Sequence, residues 1–271
     1  MQRTLSLQLS NTYFSLCEKT LRTLRLNKNS TMSQITPYNN TESKKEQVAQ
    51  MFDNIAFRYD FLNSLLSLGI HKGWRKKCIK LITDKQPKHI LDVATGTGDF
   101  AIAAMKLNPT KVIGIDISEG MMKFGREKLQ KLNLDKTITL QYGDAETCDL
   151  ADNSMDAITV GFGVRNFENL EKGLTNMLRI LKPGGQLCVL EFSSPQKFPI
   201  KQFYKFHFKY ITPTLGRLFS KDTRAYTYLP ESIKAFPDNE RFTTILEKVG
   251  YKKASFSSVG LGLAAIYLAE K

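Results

Sequence analysis

The chain has 271 residues, 42% hydrophobic and 24% charged, with a formal net charge of +13. Those values fit one globular α/β domain with decorations. No apolar run reaches the roughly 18 residues that a membrane-spanning helix needs. The lysines are dispersed and there is no compact Arg-rich block, so nucleic acid is not expected as a partner. The four cysteines, Cys17, Cys78, Cys148 and Cys188, form no CxxC pair. His71, His89 and His207 lack ligand spacing. Free thiols in a reducing compartment and no metal site follow.

Residues 1–31 carry Arg3, Lys19, Arg22, Arg25 and Lys28 against the one acid Glu18. This composition resembles a mitochondrial transit peptide. The alternative is that translation starts at Met32. Under both readings residues 1–43 are an N-terminal extension, expected to be disordered and outside the fold. The domain then runs over 44–271.

From Glu42 to Ile82 the pattern is helical. Val48, Met51, Phe52, Ile55 and Tyr59 recur at helical spacing, followed by Leu62, Leu65, Leu66 and Ile70, then Trp74, Cys78 and Leu81. Gly69 should break the run. Helices placed before the first strand can fold over its carboxyl edge, so 44–82 is expected to be a helical lid, with Trp74 in the core.

Strands and helices then alternate. Strands are expected at His89–Val93, Lys111–Asp116, Ile138–Gly143, Met155–Gly161 and Gly185–Phe192. Helices are expected at Gly98–Leu107, Gly120–Leu132 and Asn169–Leu181. This order predicts a doubly wound parallel sheet with its strand C-termini on one edge. An aromatic segment, 198–228, lies within an insertion at 196–236. A helix at Asp238–Val249 and strands at Lys252–Val259 and Leu263–Ala269 close the chain.

The first strand runs directly into a glycine turn, Asp92-Val-Ala-Thr-Gly-Thr-Gly-Asp99. Gly96 and Gly98 let a ligand approach the backbone, and the next helix aims its N-terminal amides at it. Asp116 ends the second strand, where a carboxylate can accept hydrogen bonds from ribose hydroxyls. These features alone also suit NAD. The GxG spacing lacks a third glycine, and Asp92 and Asp99 flank the loop. Acids there would repel a pyrophosphate but tolerate a cationic sulfonium. The third strand ends in Gly143-Asp144-Ala145-Glu146, where Asp144 can take the adenine amino group and the small Ala145 leaves room for the ring.

Four further stretches carry a resemblance. They are Tyr59-Asp60-Phe-Leu-Asn63-Ser-Leu-Leu-Ser67-Leu-Gly-Ile-His71-Lys-Gly-Trp74, Gly161-Phe-Gly163-Val-Arg165-Asn166-Phe, Arg179-Ile-Leu-Lys182-Pro183-Gly184-Gly185-Gln-Leu-Cys-Val-Leu-Glu191-Phe-Ser193, and Ser220-Lys-Asp222-Thr-Arg-Ala225-Tyr226-Thr-Tyr228-Leu229-Pro230-Glu-Ser232. Over roughly Lys44 to Glu270 the chain resembles the ubiquinone/menaquinone biosynthesis C-methyltransferases, and within them the bacterial demethylmenaquinone methyltransferases. The resemblance implies a class I Rossmann-like fold: α/β, a seven-stranded, mostly parallel sheet with its last strand antiparallel. It implies S-adenosyl-L-methionine as cofactor and methyl transfer to a ring carbon of a polyprenylated quinol. Demethylmenaquinol is the expected acceptor, with a methoxy-polyprenyl-benzoquinol of ubiquinone biosynthesis as the alternative. Cofactor contacts fall on Thr95, Asp116, Asp144 and Ala145, with Gly96 and Gly98 shaping the loop.

Arg165 is expected to stabilise the quinol phenolate and Asn166 to orient its hydroxyl; the competing role for Arg165 is to pin its loop through a carbonyl or an acid. Tyr59, Asp60 and Asn63 are expected to contact substrate or cofactor, or else to cap and pack. The aromatic segment, with Lys197, Lys201, Lys205 and Lys209 interleaved, is expected to cover a polyprenyl tail and touch anionic lipid from the cytoplasmic side, or from the matrix side if residues 1–31 target a mitochondrion. A homodimer is a possible assembly. Rival readings are a methyltransferase for another small molecule or RNA, and a non-catalytic scaffold of a quinone-synthesis complex. Two departures stand out: Phe57 where many members have proline, and Gly161 where many have serine.

Overall fold

The computed structural model describes residues 35–38, 40–66, 69–195, 197–206 and 224–271, without the side chains at 62, 63, 65, 66, 203, 205 and 226. The extension up to residue 34, the side chains of Asn63 and Lys205, and the whole of Lys209 therefore lie outside what the structure describes.

Seven strands form one sheet in the order β3-β2-β1-β4-β5-β7-β6. They are β1 (His89–Val93), β2 (Lys111–Asp116), β3 (Ile138–Tyr142), β4 (Met155–Gly161), β5 (Leu181–Phe192), β6 (Lys252–Val259) and β7 (Ala264–Glu270). β1 pairs in parallel with both β2 and β4, whereas β7 runs antiparallel to β5 and β6. The chain winds outward from β1 to β3 on one side and from β4 onward on the other. The loops after β1 and β4 therefore diverge and leave a crevice at the carboxyl edge.

The expected strands agree with the observed ones to within a residue, except that β5 starts earlier, at Leu181, opposite Met155. The Lys182–Gly185 turn interrupts the register there, and Gly184 has φ +74°.

Alternate strand residues serve two cores. Leu91, Ile158, Val160 and Val189 face α6 (Leu170–Ile180) and α9 (Glu240–Val249), packing on Leu174, Met177, Phe242 and Leu246. Ile90, Ala157, Cys188 and Ile266 face the opposite layer. There they meet Trp74 and Cys78 of α3 (Ile70–Leu81), Phe100 of α4 (Asp99–Ala104) and Met122 of α5 (Glu119–Lys131). Period-two alternation on both faces is what a sheet sandwiched by helices requires.

This arrangement corrects the extent of the lid. α3 is a flanking helix of the sheet, begun by Gly69 in the left-handed region at φ +73°. Its Trp74 is core, seated where Gly260 has no Cβ; one there would stand 2.3 Å from the indole. The lid is α1 (Lys44–Ile55) and α2 (Tyr59–Leu66). Ser43 caps α1 in a reciprocal capping box with Glu46. Residues 35–43, expected outside the fold, are tied to it. The Pro37 carbonyl accepts from Arg224 Nε at 2.6 Å, and Tyr38 N donates to Gln47 Oε1 at 2.8 Å. Ile35 and Tyr38 pack on a small core of Val48, Met51, Ala225 and Tyr228 that joins α1 to α8 (Arg224–Ala235). The remaining described part of the insertion is α7 (Ile200–Phe206).

Candidate active site

At the end of β1, Asp92 is wholly buried and its carboxylate is the hub of the glycine loop. It accepts from Thr95 Oγ1 at 2.6 Å, Thr159 Oγ1 at 2.7 Å and Ala101 N at 3.1 Å. Burial pushes its pKa up to about 6, against the pull of these bonds. The loop folds above it with Gly96 at φ +56° and Gly98 at φ +79°, the latter beginning α4. A Cβ on Gly96 would sit 3.2 Å from the Met121 methyl.

Asp116 ends β2 with both oxygens engaged: Gly96 N donates at 2.7 Å and Ser118 N at 2.8 Å. Burial raises this group to about 6 as well. An ionised carboxylate has about four acceptor sites, so capacity remains for a ligand. At the end of β3, Asp144 accepts from Glu146 N at 2.9 Å and pairs with Lys45 at 3.1 Å. That bond raises the Lys45 pKa.

Between these groups lies a cleft of about 660 Å³, counting the part open to solvent. Lys45, Val48, Phe52 and Tyr59 roof it from the lid, and Gly96, Asp116, Met121, Asp144, Ala145, Phe162 and Asn166 line it from the sheet. Among the described residues its charged lining is Asp116, Asp144, Glu146 and Glu168 against the one cation Lys45. Such a lining suits a ligand bearing a sulfonium and an ammonium, and opposes a pyrophosphate.

The expected source of that preference was different. Asp92 is enclosed behind the loop, and Asp99 is paired with Arg75 at 2.7 Å and Lys128 at 3.0 Å. Burial pushes the Asp99 carboxyl up, but these two cations outweigh it and leave its pKa lowered. Neither Asp92 nor Asp99 lines the cleft, so its charge comes from the ends of β2 and β3 and the loops beyond them.

Among the expected cofactor residues, Gly96, Asp116, Asp144 and Ala145 line the cleft. Thr95 does not: its hydroxyl turns inward to Asp92 and its amide donates to Ile115 O at 3.0 Å. Gly98 shapes the turn beneath. Tyr59 lines the roof, whereas Asp60 accepts from Thr97 Oγ1 at 2.7 Å and binds Lys128. Asp60 therefore fastens α2 to the glycine loop. Gly161 makes room for Phe100, whose ring a Cβ would approach to 2.8 Å. Phe57 is 79% exposed and leans on Phe124.

Arg165 and Asn166 occupy the turn after β4, and they part ways. The Arg165 side chain is buried. Its Nη1 pairs with fully buried Glu191 at 2.8 Å and also donates to Phe162 O; Nε donates to Ser232 Oγ at 3.3 Å. The guanidinium also stands 5.4 Å from the Phe192 ring centre. Nη2 has no partner among the described residues. Arg165 thus pins its loop, through both an acid and a carbonyl. Asn166 lines the cleft, and its Oδ1 accepts from the Tyr228 hydroxyl at 3.1 Å. Burial pushes that phenol up to about 12, which keeps it a donor.

Residues that sequence reasoning missed sit mostly on the lid. Lys44 Nζ donates to Arg165 O at 3.1 Å and Phe167 O at 2.8 Å. Burial, then the charge of Arg165, lowers its pKa to about 8. Asp53 accepts from Ser118 Oγ at 2.6 Å and Gly120 N at 2.8 Å. The lid is therefore tethered by polar bonds to the loop after each of β1, β2, β3 and β4, through Asp60, Asp53, Lys45 and Lys44 in turn. No periodicity marks these positions; they are polar residues on amphipathic helices.

Solved structures show the same fold at low identity. A SAM-dependent methyltransferase from Aquifex aeolicus aligns with a TM-score of 0.51 at 21% identity, covering 68% of this chain and 82% of that one. A putative S-adenosyl-L-methionine-dependent methyltransferase from Methanococcus maripaludis aligns at 0.54 and 18%, covering 86% and 96%. Sequence relatives are nearer. A demethylmenaquinone methyltransferase of Bacteroides fragilis is 50% identical over 238 residues, 88% of this chain and 97% of the relative. The demethylmenaquinone methyltransferase of Porphyromonas gingivalis is 44% identical, with 88% and 98% covered. A ubiquinone/menaquinone biosynthesis C-methyltransferase of Geobacter sulfurreducens is 41% identical, with 88% and 93% covered. The family model described as the ubiE/COQ5 methyltransferase family matches residues 40–271, and the chain belongs to that family.

Proposed function

We propose that this protein transfers a methyl group from S-adenosylmethionine to a ring carbon of demethylmenaquinol, giving menaquinol. The observation that carries the reading is the acid-lined cleft between Asp116 and Asp144, in a chain 50% identical to a demethylmenaquinone methyltransferase over 97% of that relative. The small residues Gly96 and Ala145 and the two carboxylates fit the adenosyl group. Asp116 would take the ribose hydroxyls and Asp144 the adenine amino group. Bound there, the cofactor supplies an electrophilic methyl on a cationic sulfur.

The chain's own residues prepare the acceptor. Val48, Phe52, Tyr59, Phe162 and Phe167 keep the cleft apolar opposite its acids. Excluding water favours a step in which opposite charges neutralise. Holding two reactants in line supplies much of the rate, with effective molarities of order 10⁵ M or more possible. Asn166, fixed by Tyr228, presents its amide to the acceptor hydroxyl. Arg165 acts by holding that turn; its buried side chain pairs with Glu191 and is not among the residues that line the cleft. Methyl transfer there would form a carbon–carbon bond as the carbon–sulfur bond breaks with its electrons going to sulfur, and the proton released from the ring carbon would replace the one lost from the acceptor hydroxyl.

The acceptor's prenyl tail points to a lipid surface. Phe198 is 80% exposed on the approach to α7, and Leu261, 77% exposed, tips the β6–β7 turn at the carboxyl edge. Lys197 and Lys201 flank Phe198. Together they suit shallow insertion beside anionic headgroups.

Asp116, raised to about 6, accepts more strongly from ribose when ionised, so affinity for S-adenosylhomocysteine should be level from pH 7 to 8 and fall below pH 6. Asp116→Ala should weaken calorimetric binding about a hundredfold, the scale of two charge-assisted bonds; a level profile down to pH 5 contradicts the assignment. Given a naphthoquinol and a methoxybenzoquinol with the same prenyl tail, turnover should favour the naphthoquinol at least about tenfold in kcat/KM, and a reversed ratio selects the benzoquinol reading. The protein should co-sediment with phosphatidylglycerol vesicles at low salt and release at high salt; no sedimentation at low salt rejects the lipid contact.

A further inference from the structure

Helix α1 spans the cleft and grips it at both ends. At its N-terminal end Lys45 holds Asp144 at 3.1 Å. At its C-terminal end Asp53 holds the start of α5. Its Oδ1 accepts from Ser118 Oγ at 2.6 Å and from Gly120 N at 2.8 Å. Ser118 is the N-cap of α5; its Oγ accepts from Met121 N at 3.2 Å, which leaves its proton for Asp53. The same Ser118 donates its amide to Asp116 Oδ1 at 2.8 Å. One serine thus separates the lid aspartate from the ribose carboxylate. Gly120 permits the contact: a Cβ there would stand 2.7 Å from Asp53 Oδ1 and 3.2 Å from the Asp53 Cα. The side-chain tip can swing aside, but the Asp53 Cα could accommodate a Cβ only if α1 and α5 moved apart by a few tenths of an ångström.

We propose that Asp53 and Lys45 are positioning residues for the adenosyl half of the cofactor, so that α1 sets both carboxylates that hold it. This rests on reading the cleft as the S-adenosylmethionine site. Neither residue touches the reacting atoms. Each fixes a carboxylate whose geometry decides how tightly the ligand is held, and preorganised partners bind with less ordering cost. The helix between them adds Val48 and Phe52 to the roof, so the grip also sets the depth of the cleft.

Calorimetry of the full chain with S-adenosylhomocysteine tests this. Binding by the wild type is the control for the site itself; its absence would refute the cofactor reading rather than this one. With wild-type binding established, Asp53→Ala and Lys45→Met should each raise Kd about tenfold. Asp53→Asn keeps an oxygen acceptor and Lys45→Arg keeps a cation, so both should stay within about threefold of wild type. Gly120→Ala alters no polar group but forces α1 away, and should reproduce the Asp53→Ala loss. Rescue by the conservative variants separates positioning from general destabilisation. Wild-type affinity in Asp53→Ala, Lys45→Met and Gly120→Ala overturns the proposal, as does equal loss in Asp53→Ala and Asp53→Asn. Should Asp53→Ala fail to fold, Gly120→Ala against Asp53→Asn gives the same decision.

Discussion

A buried carboxylate without a counter-ion among the described residues holds the carboxyl edge of this sheet together. Asp92 ties the end of β1 to β4 through Thr159, to the glycine loop through Thr95 and to the start of α4 through the Ala101 amide. Burial lifts its pKa to about 6, so at neutral pH the fold carries the charge at a cost on the order of 3 kcal/mol. The sign is that of a raised acid: this contribution is most favourable below the unfolded pKa near 4 and is lost as pH rises through 6. Three hydrogen bonds offset much of the desolvation, and in exchange the loop has a fixed shape before any ligand arrives. Everything at the cleft is measured from that loop: the Gly96 amide that engages Asp116, and the Thr97 hydroxyl that engages the lid.

The lid completes the site by polar contacts as much as by apolar packing. α1 and α2 reach the loops after the first four strands through Lys44, Lys45, Asp53 and Asp60. Beneath them, Arg165 and Glu191 form a buried pair that fixes the turn carrying Asn166. Removing one member of such a pair leaves an uncompensated buried charge, which is worse than never having had the pair. The motif around Arg165 and the motif ending in Glu191 are thus two halves of one device.

The first half of the sheet was legible in the sequence because β1, β2, β3 and β4 each have glycine or aspartate at or next to the strand end. Asp116, Asp144 and Ala145 were legible because strand ends in a doubly wound sheet can face only one edge. Side-chain direction within a turn was not: the Thr95 hydroxyl points back to Asp92, a choice that depends on the buried carboxylate beneath it. The Arg165–Glu191 pair joins residues 26 apart in the chain, and the pairing of β4 with β5 brings them together. α3 reads as helical in sequence, yet only the packing of Trp74 against the Gly260 turn shows that it flanks the sheet rather than covering the cleft. Asp53 and Lys45 look like ordinary polar positions of an amphipathic helix until their partners, Ser118 and Asp144, are placed opposite.

The central claim is that the methyl of S-adenosylmethionine passes intact to a ring carbon of a prenylated quinol held under this lid. The most direct measurement supplies S-adenosylmethionine with a trideuterated methyl, demethylmenaquinol and a reductant, and follows the quinone product by mass spectrometry. The account requires menaquinone carrying all three deuterons on a ring-bound methyl, formed from the reduced acceptor and not from the oxidised quinone. Label on an oxygen-bound methyl, or equal turnover of the oxidised quinone, would contradict it.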